Sequence, residues 1–242
     1  IALRRKGRCR LFYFIGVTEM IKSERVSESV RLGILLALTG GFMDAYSYLV
    51  RGGAFANAET GNIVLMGIHM AEGNWGRVLY YLVPVVSFAL GVYVAEYIRK
   101  QVGDNPKVHW KEGILWAEMA LIFIAGWIPQ RHNALVNAMI AFICAMQVEA
   151  FRKIRGMAFA TTMCTGNLRS GTELLSVGQF EHDTEKRKAG LHYFLIDGVF
   201  AGGAAVGAVV CKLFAEKSIW LCIVTLFGAQ LFIMYQKKNA EV

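Results

Sequence analysis

The chain has 242 residues, of which 55% are hydrophobic and only 18% charged, and its mean hydropathy is +0.42. A soluble domain of this size cannot hide so much apolar surface, so the composition excludes one and points to a membrane. The net charge of +8 does not indicate a nucleic-acid binder, because the basic residues sit between apolar spans instead of forming one soluble basic face.

In chain order, residues 1–29 form a basic cytoplasmic segment whose apolar patch, Leu11 to Val17, is too short to span. Its first methionine, Met20, is a natural start point. Apolar runs long enough to cross a bilayer follow at about 32–50, 79–98, 113–128, 134–151, 190–213 and 218–235. Two further apolar segments, at about 54–71 and 156–176, are interrupted by polar residues and each carries a Thr-Gly-Asn triplet. Residues 237–242 form a cytoplasmic tail.

The positive-inside rule decides whether those two segments cross. If all eight segments cross, five of the loop Lys and Arg residues lie inside and ten outside. If the triplet segments dip in and return, ten lie inside. The five left outside are then Arg51, Arg77, Arg131, Lys212 and Lys217. The expected architecture is therefore an all-α integral membrane protein with six transmembrane helices, two re-entrant or broken half-helix segments, and both termini cytoplasmic.

The triplets belong to an internal repeat. Thr60, Gly61 and Asn62 align with Thr165, Gly166 and Asn167, and "DAYSYLVRGGAFA" aligns with "EAFRKIRGMAFA" given one gap. Asp44 and Glu149 each stand 18 residues before their Asn. Further on, "YYLVPVVSFALG" matches "HYFLIDGVFAGG" at a shifted register that pairs Tyr81 with Tyr193, Phe88 with Phe200 and Gly91 with Gly203. Each half, 30–128 and 129–236, contains three crossings. Because three is odd, the second half starts from the opposite face, and the expectation is a 3+3 inverted repeat with a site near the midplane.

Irregular backbone at membrane depth has to be buried in protein or line a polar cavity. Thr60 and Thr165 are candidate caps for following half-helices, and Asn62 and Asn167 are candidate partners for freed backbone groups. Two half-helix N-termini meeting from opposite sides would bind a small polar or anionic solute through Thr60, Gly61, Asn62, Thr165, Gly166 and Asn167. The plainer alternative is that the triplets close the breaks and hydrogen-bond each other. Asp44, Glu149, Arg169 and Asp197 fall at or near membrane depth, as coupling groups or as ion pairs such as Asp197 with Arg169. Gly203 and Gly207, at GxxxG spacing, read as a close helix contact, and the tyrosines Tyr46, Tyr48, Tyr80 and Tyr81 as interfacial residues. The cysteines lack C-x-x-C spacing, and neither metal nor cofactor is expected.

With "GGFMDAYSYL", "TGNIVLMG" and a second "TGN", the chain resembles the YoaK-type family of bacterial membrane proteins, a domain of unknown function. The stretch Gly41–Asp44 and the triplet Thr60–Asn62 carry the resemblance, which covers roughly residues 30–236. It implies a multi-pass protein of the bacterial inner membrane and leaves the chemistry open. A secondary transporter is the leading expectation. A passive channel with opposed half-helices and a structural membrane protein are the alternatives. An enzyme is not expected, because Ser170 beside Gly171 lacks a G-x-S-x-G motif or paired histidine. The expected partners are the lipid bilayer and the solute, not nucleic acid. A homodimer suits so small a carrier, although no interface is evident.

Overall fold

A computed structural model of the chain describes residues 30–102, 110–154, 157–158 and 161–240. The expected N-terminal segment and the last two residues of the tail lie outside them. The helices are α1 (Val30–Val50), α2 (Glu59–Ala71), α3 (Trp75–Val102), α4 (Trp110–Ala125), α5 (Asn133–Ala150), α6 (Cys164–Phe180), α7 (Thr184–Phe214) and α8 (Leu221–Ala240). Two-residue strands, β1 (Lys153–Ile154) and β2 (Met157–Ala158), pair antiparallel between α5 and α6.

Helix suits these apolar runs because it satisfies every backbone group internally. Four helical segments are long and apolar enough to cross a membrane: Val30–Val50, Trp75–Val102, Gln130–Ala150 and Thr184–Gln236. The last contains α7 and most of α8. The chain folds over between them at the 3-10 turn Ala215–Trp220, where Ala215 has φ 46. At 16 residues α4 is shorter than these four, and α2 and α6, with 13 and 17, carry the triplets. α1 is largely buried, apart from Arg31 at its start and Tyr48 and Leu49 near its end, and α5 also lies largely inside the bundle. The outer helices instead present large apolar side chains such as Tyr93, Leu213 and Val224 to the surroundings. That inside-out distribution identifies a membrane protein.

Glycine contacts fix how the helices run. A Cβ on Gly203 of α7 would lie 2.1 Å from the Leu38 carbonyl oxygen of α1, and one on Gly207 would meet Phe42. The two helices therefore run parallel and almost touch, as the GxxxG spacing predicts. In the same way, a Cβ on Gly91 of α3 would lie 2.3 Å from the Phe142 oxygen of α5. Gly91 and Gly203 are the glycines that the sequence alignment pairs, and they make equivalent approaches. α5 runs antiparallel to α1, with Asn137 against Arg51 and Cys144 Sγ 3.8 Å from Met43 Sδ.

The path through the first triplet segment follows from its contacts. The start of α3 lies level with the end of α1: Tyr80 donates to the Arg51 carbonyl, and Arg77 Nη1 to the Gly52 carbonyl at 3.3 Å. Between these two points the chain descends, because Asn57 Nδ2 reaches the Gly40 carbonyl at 3.3 Å. Gly40 lies about 16 Å back along α1, halfway down it. Gly52 and Gly53, with φ 82 and 84, make the reversal that starts the descent. α2 then climbs back, until His69 stacks on Tyr81 with ring centroids 5.6 Å apart.

Candidate functional site

The descending loop is held by two side chains. Asp44 Oδ1, on α1, accepts from the backbone amides of Ala56 at 2.8 Å and Asn57 at 2.7 Å. Asn62, fully buried, clamps the loop like an extra β-bridge. Its Oδ1 accepts from Phe55 N at 2.9 Å, while Nδ2 donates to the Phe55 carbonyl and to Glu59 Oε2, both at 2.9 Å.

The second loop arrives at the same place from the other end. Thr162 lies against Gly40, where an added Cβ would meet its Cγ2 at 2.4 Å. α6 then runs back along α7, so that Gly171 faces Gly190 and Gly178 faces Asp183 and Arg187. Buried Asn167 donates to Asp197 Oδ1 on α7 at 2.9 Å.

The entry to α2 is reproduced at the entry to α6. Gly61 N and Asn62 N both donate to the Ala58 carbonyl, at 2.8 and 3.4 Å. Gly166 N and Asn167 N donate to that of Met163, at 3.0 and 3.3 Å. The cap residues share one conformation, with φ −86 and ψ 65 at Ala58 and φ −105 and ψ 69 at Met163.

The expected threonine caps are not formed. Ala58 and Met163 occupy the cap positions, and neither helix has a side-chain cap. Thr60 and Thr165 lie inside the first turn and are exposed, as is Gly166, while Gly61 is partly buried. All side-chain partners of Asn62 lie in its own loop, so it does not bond the second triplet. Arg169 is exposed and Asp197 bonds Asn167 in its place, while Glu149 pairs with Arg152 at 3.0 Å.

What the two loops leave around Gly40 is a set of buried polar atoms without partners: Asn57 Oδ1, Glu59 Oε1, Thr161 Oγ1 and Thr162 Oγ1. Buried polar atoms are nearly always bonded, so such a group at one junction is what a polar ligand or ordered water would satisfy. The carboxylates near the junction are Asp44, Glu59 and Asp197.

Two buried charges are not among the site residues expected from the sequence. Arg51, counted as a loop charge by sequence, is fully buried. It donates to Tyr46 Oη at 2.7 Å and to the carbonyls of Ile128 and Ala125 at 2.8 Å, closing the C-terminal end of α4. Tyr46 and Tyr80 belong to this network and not to an interfacial belt. Glu118, in the middle of α4, is fully buried against Gln147 of α5. An acidic residue inside an apolar run was the signal that could have found it. Among the described residues, no group of three His, Cys, Asp or Glu side chains could hold a metal.

Helices too apolar for water, packed through glycines around polar loops at mid-depth, define a polytopic α-helical membrane protein. The chain belongs to the protein family of unknown function DUF1275, which matches residues 32–232. It is 28% identical to the UPF0700 transmembrane protein YoaK of Bacillus subtilis (strain 168), over 80% of this chain and 89% of that protein. No solved structure matches.

Proposed function

We propose that the chain is a secondary transporter of a small polar solute in the bacterial inner membrane, with six crossings arranged as a 3+3 inverted repeat and both termini cytoplasmic. The observation that carries this reading is the set of unpartnered buried atoms on Asn57, Glu59, Thr161 and Thr162, where two broken segments meet halfway along α1. Three features support the topology. Thr184–Gln236, at roughly 80 Å if straight, is far longer than one crossing and is folded in two. The first triplet segment returns to the level it left. The α1–α7 and α3–α5 contacts are related by the sequence repeat.

The solute is taken to be neutral or cationic in preference to anionic. Asp44, Glu59 and Asp197 supply negative charge near the junction, while Arg169 is exposed. The amides of the first loop are already served by Asp44. The protein acts here as a carrier, with no catalytic step.

The experiment is a thermal-shift screen of the detergent-solubilised protein against a panel of small neutral, cationic and anionic polar compounds, followed by counterflow in proteoliposomes. Asn57→Leu and Thr162→Val are expected to abolish both responses while leaving the protein folded. Uptake that survives both substitutions removes the site. Ion currents at channel rates in planar bilayers would instead make the protein a pore.

A further inference from the structure

Glu118 is the most deeply buried carboxylate among the described residues, at the centre of α4 and with no accessible surface. Its one hydrogen-bonding partner is Gln147, whose Nε2 lies 3.1 Å from both Oε1 and Oε2. Among the described residues no cationic group acts on it. The titratable groups within electrostatic reach are two buried thiols, Cys144 on α5 and Cys222 on α8. α3 and the 3-10 turn before α8 bring no charge to it among the described residues.

An ionised carboxylate in this position is an uncompensated charge in an apolar interior, with one neutral donor where several are needed. It also leaves a second defect. Gln147 is fully buried and its carboxamide oxygen has no partner. A carboxylate offers only acceptors and cannot serve that oxygen, whereas a carboxylic acid has an O–H to donate. With one proton added, the acid O–H donates to Gln147 Oε1 while Nε2 donates to the other acid oxygen. This closes a two-bond ring that satisfies both side chains. The carboxamide needs only to swing within its plane, because its nitrogen already sits midway between the two oxygens.

We propose that Glu118 is a proton-binding site, a carboxyl group that takes up and releases one proton against Gln147. Given the carrier reading above, on which this part rests, it is the group through which a proton gradient couples to solute movement. The step is the association of a proton with a carboxylate, with no electron transferred and no other bond changed. The register that pairs Tyr81 with Tyr193 and Gly91 with Gly203 pairs Glu118 with Gln230. The corresponding place on α8 is thus filled by an amide, which cannot titrate.

Infrared difference spectroscopy of the full-length protein in detergent, titrated with pH, tests this without a solute. At neutral pH the wild type should show the C=O stretching band of a buried protonated carboxylic acid. E118Q should lose that band, whereas D44N and D197N should keep it. Q147L should shift it to higher wavenumber, because the acid then lacks its amide partner. A band unchanged in E118Q, or unmoved in Q147L, overturns the proposal, and the second variant decides the matter if E118Q does not fold. If the bands behave as expected but no solute is carried, it is the carrier reading that fails.

Discussion

Replacing Asn62 by alanine separates the two polar side chains of the first triplet. Asn62 serves both the N–H and the C=O of Phe55 and also donates to Glu59, while the hydroxyl of Thr60, two residues earlier, is exposed. Leaving a buried polar group unsatisfied costs about 1–3 kcal/mol, and Asn62→Ala orphans two backbone groups in a part-buried loop. After some relaxation of that loop, the expected loss is about 2–4 kcal/mol. Thr60→Ala should stay within about 0.5 kcal/mol of wild type. Asn62→Asp should be at least as damaging as alanine, because it sets a second acceptor 2.9 Å from Glu59 Oε2 and against the Phe55 carbonyl. Unfolding in mixed micelles with increasing SDS, followed by tryptophan fluorescence, measures the differences. If Asn62→Ala and Thr60→Ala unfold together, the clamp is not what holds the loop and the reasoning fails.

The glycine contacts predict that Gly203→Ala forces α7 off the Leu38 carbonyl and costs about 1–3 kcal/mol, whereas Gly202→Ala, with nothing within 4 Å, is neutral in the same assay. Asp44→Asn keeps an oxygen for the Ala56 and Asn57 amides and should lose under about 1 kcal/mol, while Asp44→Ala should lose about 2–4 kcal/mol. Arg51→Met strands the carbonyls of Ala125 and Ile128, so it should lower the melting temperature in detergent more than Arg131→Met, whose side chain is exposed between α4 and α5.

Much of this architecture is legible in the residues. Hydropathy finds each described helix, because length and apolar content are what a bilayer selects, but it starts α6 eight residues early and α7 six residues late. Lys and Arg counts alone predict that the first triplet segment returns, and the alignment of Gly91 with Gly203 anticipates two equivalent helix contacts. The triplets themselves were harder to read. Sequence shows that Thr60 and Asn62 recur, but the cap position depends on where the helix begins, and Ala58 and Met163 hold it. Asn167 and Asn62 occupy matched positions, but the bond from Asn167 to Asp197 has no counterpart in the first half, where Val85 stands in place of Asp197. Arg51 and Glu118 were missed for a related reason. Whether a charge near a span is solvated or enclosed depends on neighbours far away in the chain, such as Ile128 and Gln147.

The pairing of α1 with α7 has a consequence for biosynthesis. The first of the described helices to emerge carries Gly40, Gly41 and Asp44 on surfaces meant for neighbours, yet its closest companion is synthesised roughly 150 residues later. Until α7 and α8 enter the membrane, Thr39 has no Thr225 and Gly41 no Phe200 to meet. α5 is placed the other way round, since α3 is already made when it appears. Neither half closes its own helices, so a chain cut between Ile128 and Asn133 would yield two fragments that each lack a wall. α1 is thus among the last of the described helices to be enclosed, and truncation near the C-terminus should unsettle α1 first.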